Sequence, residues 1–166
     1  MFSLKPISSA GIPTALQKAE RYRLLNDSSA AESICLDVLE LEPDNQQALV
    51  MLVLSITDQV GEGLADGVRR AREVLPRLKD EYKRNYYAGI VCERRAKAQL
   101  RHGGPRSHEI AADWLREAMG WYAKAEAMRP AGNDEAILRW NTCVRIMSRH
   151  EDMMTTREEA YEPSLE

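Results

Sequence analysis

The chain has 166 residues, enough for one domain with a buried core, and its 44% hydrophobic and 30% charged composition excludes a disordered polar chain. Its longest apolar stretch, Ala48 to Ile56, is about half of the roughly 20 residues that a membrane-spanning helix needs. Net charge is only −3, but residues 1–68 hold 4 basic and 10 acidic groups, 69–106 hold 12 and 4, 107–150 hold 6 and 6, and 151–166 hold 1 and 6.

Residues 1–11 read as an N-terminal extension; MFSLKPISSAGIP has no continuous apolar core of the kind a secretory signal carries. From Ile12 an amphipathic pattern predicts a first helix with Ala19 and Tyr22 on its packed face. Asn26 is suited to a left-handed turn and Asp27 to the cap of the next helix. That helix carries Ala31 and Cys35, and Pro43 in DVLELEPDN ends it, because proline cannot continue a helix. One repeat of 34 residues further on, Val53 and Ile56 stand where Ala19 and Tyr22 stood, and Ala65 where Ala31 stood. Gly61, Gly63 and Gly67 read as the turn between these two helices; Arg69 takes the aromatic position and Pro76 arrives one residue early.

A third pair begins with YKRNYYAGIVCERRAKAQL, where Gly89 and Cys92 take the small and the large position. Gly103, Gly104 and Pro105 mark its turn, with Ser107 as the predicted N-cap. In the helix that follows, Ile110, Trp114, Ala118, Trp121, Tyr122, Ala125 and Met128 fall on one broad face, and Pro130 closes it. A last helix follows Asn133, with Trp140 and Cys143 at the packing positions. Cys92 and Cys143 are 51 positions apart, 17 more than one repeat, so both helices of the third pair are expected to run one to two turns long. Residues 155–166 read as an acidic tail.

A small residue, a large one four on and a proline eight beyond that recur as Ala31, Cys35, Pro43 and as Ala118, Tyr122, Pro130. With the preceding Ala19–Tyr22 pair, they resemble the tetratricopeptide (TPR) repeat family over roughly Ile12 to Met154. The resemblance implies an all-α fold over 12–154: a right-handed α–α superhelix of about three helical hairpins plus a C-terminal capping helix, the third hairpin elongated. It implies a protein-interaction scaffold rather than an enzyme; a cytoplasmic setting is the simplest one for three cysteines too few and too scattered for a disulfide framework. The resemblance also implies a partner groove lined by the first helix of each unit. The positions carried over are Leu16, Glu20 and Arg23, then Val50, Leu54 and Thr57. Tyr86, Ile90, Glu93 and Arg94 follow from the third unit, and Ile137, Asn141 and Val144 from the last helix.

This set suits another protein, as a peptide or helix with apolar anchors, ahead of a segment of the chain itself or self-association. A secretion chaperone of the TPR class is an alternative, which the lengthened third hairpin weakens. The family's carboxylate clamp is not implied, since Leu16, Glu20, Met51 and Tyr87 occupy four of its positions and only Lys83 fits.

Reactive chemistry is not indicated. His102, His108 and His150 read as solvated loop histidines, with His102 and His108 flanking the Gly-Gly-Pro turn. Cys35, Cys92 and Cys143 fall on packing positions and are too scattered for a disulfide framework or a CxxC metal site. Neither a phosphate-binding glycine loop nor a HExxH or GxSxG motif occurs, so no catalytic residue, metal or cofactor is expected. The basic stretch, including Arg69, Arg70, Arg72, Arg84, Arg94, Arg95, Lys97 and Arg101, is most simply a solvated face. The sharper option is an acidic partner. Nucleic acid is disfavoured, because aromatics for base stacking are not interleaved with these arginines.

Overall fold

The computed structural model describes residues 2–60 and 66–154. Among the described residues the chain is all-helical, with eight α-helices and no strand: α1 Ile12–Leu24, α2 Ser28–Leu41, α3 Gln46–Asp58, α4 Gly67–Val74, α5 Glu81–His102, α6 Ser107–Ala127, α7 Glu135–Met147 and the short α8 Glu151–Met154. None of them is long and apolar enough to cross a membrane.

Local chemistry sets most of the boundaries. Asn26 takes the left-handed conformation with φ 61°, turning the chain so that the Asp27 carboxylate accepts from the Ala30 N–H at 3.1 Å and starts α2. Asn45 does the same for α3 through Ala48 N–H at 2.9 Å, and Asp80 for α5 through Lys83 N–H at 3.3 Å. α2 stops at Leu41 and α6 at Ala127, just ahead of Pro43 and Pro130. α5 and α6 have 22 and 21 residues against 13 and 14 in α1 and α2, so lengthened helices take up nearly all of the extra positions.

Two turns differ from the expectation. The residue that caps α6 is Arg106, in the left-handed region at φ 59°, while Ser107 is the first helical residue. The Ser107 hydroxyl instead donates to the Gln99 carbonyl at 2.8 Å, a second hydrogen bond to an acceptor that the Gly103 N–H already meets at 3.1 Å, and so ties the start of α6 to the end of α5. Gly67 belongs to α4 rather than to a turn; it is buried, and a Cβ there would sit 2.9 Å from Val60 Cγ2. Gly61, Gly63 and Ala65 lie outside the described residues.

Neighbouring helices pack on one another in chain order, most extensively α5 on α6, and α1 also touches α3 as α3 touches α5. The odd-numbered helices α1, α3 and α5 therefore lie side by side. The core divides into two clusters. Ala19, Ala31, Cys35, Leu49 and Val53 centre the first, and Leu115, Ala118, Tyr122, Ala125 and Cys143 the second. Tyr87 and Trp121, each half-buried, pack against both and join them.

The three thiols are core groups. Burial is the main cause that pushes Cys35, Cys92 and Cys143 up to about 12, so almost none is thiolate at neutral pH. A disulfide reagent such as Ellman's is therefore expected to leave all three unlabelled in the folded chain at pH 8 and to label all three in guanidinium. Rapid labelling under native conditions would contradict the packing. Because the folded thiols hold their protons above the unfolded value, their contribution to stability is present below about pH 9 and lost as pH rises toward about 12.

Candidate functional site

α3 is apolar along most of its length and ends in one carboxylate, Asp58. A partly buried carboxylate needs cationic or hydrogen-bonding partners, and two arginines supply them. Arg23, near the end of α1, donates from Nε to Asp58 Oδ2 at 2.8 Å. Arg94 of α5 pairs with Oδ1 at 2.8 Å, and the Ser28 hydroxyl donates to Oδ2 at 3.2 Å. Arg94 also donates to the Leu54 carbonyl at 2.8 Å and to Thr57 Oγ1 at 2.5 Å. Burial lowers the Arg94 guanidinium below its ordinary range, and the Asp58 carboxylate beside it opposes that shift.

The adjacent residue on α5, Glu93, is only 1% exposed. Its carboxylate accepts from the Tyr122 hydroxyl of α6 at 2.7 Å and from Arg139 of α7 at 3.3 Å, and it is paired with Lys97 one turn along α5. Burial first, then the Glu93 charge, pushes the Tyr122 phenol well above its ordinary range, so it remains a donor. Tyr122 lies against Gly89, where no side chain holds the two helices apart; a Cβ at Gly89 would be 2.4 Å from the Tyr122 ring.

These contacts form one charged seam running from α1 through α3 and α5 to α7. At its centre is a pocket of about 290 Å³ lined by Asp58, Ile90, Glu93, Arg94, Lys97, Arg101 and Arg139. Positions 90, 94, 97 and 101 share one face of α5, following the helical spacing. Four cations face two carboxylates there, so the pocket favours an anionic group.

The positions carried over from the repeat resemblance separate into several environments. Arg23, Thr57, Glu93 and Arg94 meet in the seam, Leu54 contributes its carbonyl, and Ile90 lines the pocket. Leu16 is buried in the first core cluster, with Val50 partly buried beside it. Tyr86 is half-buried against the second, its ring stacked with Tyr82 at 5.9 Å and edge-on to Tyr87 at 5.1 Å. Glu20 is exposed on α1, and Ile137, Asn141 and Val144 are partly exposed on α7; none of these lines the pocket.

The basic stretch likewise divides. Arg69 pairs locally with Asp66, just before α4, and with Glu73 of α4, Arg70 reaches Glu32 of α2, and Arg72 pairs with Glu117 and covers the Trp114 ring at 5.2 Å. Arg84 donates to the Leu78 and Lys79 carbonyls, and Arg95 is half-buried. Arg94, Lys97 and Arg101 turn toward the pocket. Asp58 and Arg139 were not among the expected site residues. The signal for Asp58 was a single charged residue closing an otherwise uncharged helix; Arg139 carried none, being one of two arginines on a mixed helix.

Comparison with protein-family models, with curated proteins and with solved structures finds no match.

Proposed function

We propose that the chain is a TPR-like helical-repeat module that binds another protein, seating an acidic segment of it on the face formed by α1, α3, α5 and α7. The observation that carries this reading is the seam. Arg23, Asp58, Arg94, Glu93 and Arg139 tie together alternate helices of the chain, as the shared groove of a repeat array requires. Its pocket is cationic in balance and holds Arg94 by the Asp58 carboxylate and the Leu54 carbonyl and Arg139 by the Glu93 carboxylate, so these two are positioned before a ligand arrives. The reading is a binder rather than an enzyme because the lining offers charge and hydrogen bonds, while the thiols are core groups. It shifts the expected groove from apolar anchors toward carboxylate recognition.

The test is selection of a random peptide display library on the immobilised chain, followed by binding of the enriched peptides to Arg101→Glu, a change at an exposed position on the pocket lining. Enriched peptides are expected to carry acidic residues, to bind about tenfold more weakly to the variant, and to weaken with added salt. Enrichment of uncharged peptides indifferent to Arg101→Glu would place recognition elsewhere. Retention of a single-stranded oligonucleotide through the same cations would favour nucleic acid instead.

A further inference from the structure

We infer that His108, His150 and Asp152 form a binding site for a divalent transition metal of the zinc class. The three come from separate elements: the second residue of α6, the link after α7, and α8. His108 Nδ1 lies 2.9 Å from Asp152 Oδ2, and the rings of His108 and His150 are 4.4 Å apart at 45°. One donor atom from each lies within 4.8 Å of the others. Neighbouring ligands on a tetrahedral zinc ion sit roughly 3.3 Å apart, given bonds of about 2.0–2.1 Å. The His108–Asp152 pair is therefore already near that spacing, and the His150 donor atom lies within 4.8 Å of both.

The backbone that carries these groups is held in place. Met153, between Asp152 and the end of α8, is fully buried in the second core cluster. Its N–H donates to the His150 carbonyl and its carbonyl accepts from Arg116 of α6, both at 3.0 Å. Ligands on such a frame lose little freedom on binding an ion. Two imidazoles and one carboxylate form a nitrogen–oxygen set suited to zinc, and the fourth position is left for water or a group from a partner. An ion pair with Asp152 would need one imidazole; the second, packed against the first, is what a metal uses. Bound metal would clamp the C-terminal end of the helical array to the start of α6.

The experiment is calorimetric titration of the full chain with zinc chloride, with cobalt(II) as a spectroscopic probe. One ion per chain is expected, together with a higher Tm. The cobalt complex should show the visible bands of a tetrahedral ion without the near-ultraviolet charge-transfer band of thiolate ligation. His108→Ala and His150→Ala should each weaken binding at least roughly tenfold and Asp152→Asn should weaken it as well, while His102→Ala leaves it unchanged. Circular dichroism checks the fold of each variant, and Asp152→Asn, at an exposed position, carries the test if a histidine variant misfolds. Failure to bind up to millimolar zinc, full binding by the His108→Ala/His150→Ala double variant, or a thiolate band would each overturn the site.

Discussion

Gly89→Ala is expected to destabilise the chain by about 2 kcal/mol, although alanine is by about 1 kcal/mol the better helix former. The added methyl would lie 2.4 to 2.8 Å from three atoms of the Tyr122 ring. That ring has no free side to move toward, because Tyr122 is fully buried and its hydroxyl is held by Glu93 at 2.7 Å. Relief must come from separating α5 and α6, the most extensively packed pair in the fold. Thermal melts of Gly89→Ala in the wild-type and Tyr122→Leu backgrounds measure the coupling. The penalty should shrink toward zero, or reverse, once the ring is gone. An equal penalty in both backgrounds would mean that the close approach is not what requires glycine.

The second large effect is at Glu93. Its carboxylate serves Tyr122, Lys97 and Arg139 at once, and truncation to alanine leaves a buried hydroxyl and two cations without their shared acceptor. A loss of about 3–5 kcal/mol is expected for Glu93→Ala, and a smaller one for Glu93→Gln, which keeps an acceptor for the phenol. Tyr122→Phe, which removes one hydrogen bond and leaves the packing, should cost about 1–2 kcal/mol. Urea midpoints at unchanged m-value report these differences. A loss below about 1 kcal/mol for Glu93→Ala would show that the seam does not hold the helices together.

Much of the helical layout was legible in the sequence, because its causes are local. The Asn26–Asp27 turn depends on one residue that tolerates the left-handed region and one that accepts from the next helix. Pro43 and Pro130 stop helices without regard to tertiary context. Gly89, Ala118 and Tyr122 were identifiable as packing positions from their spacing, and their burial follows from that same periodicity. The cap of α6 was misread because Ser107 looks like an N-cap wherever it follows a turn. Its hydroxyl found a better acceptor in Gln99, on the other side of the hairpin.

The candidate site was less legible. Arg23, Glu93 and Arg94 were anticipated as members of one face, but Leu16 on that list is core. A repeat position places a residue on a face without saying how deeply the next helix covers it. Charges are harder still, since any arginine on a mixed helix looks solvated until its partner is known. Arg23 and Asp58 are 35 positions apart, Glu93 and Arg139 46, and His108 and Asp152 44. Local sequence determined most helix boundaries and the Asn26–Asp27 turn, because capping, proline and periodicity act over a few residues; the start of α6 and the place of Gly67 in α4 did not follow from it. Tertiary structure alone decided which carboxylate meets which arginine and which histidines meet, because those contacts exist only once helices distant in the chain are packed side by side.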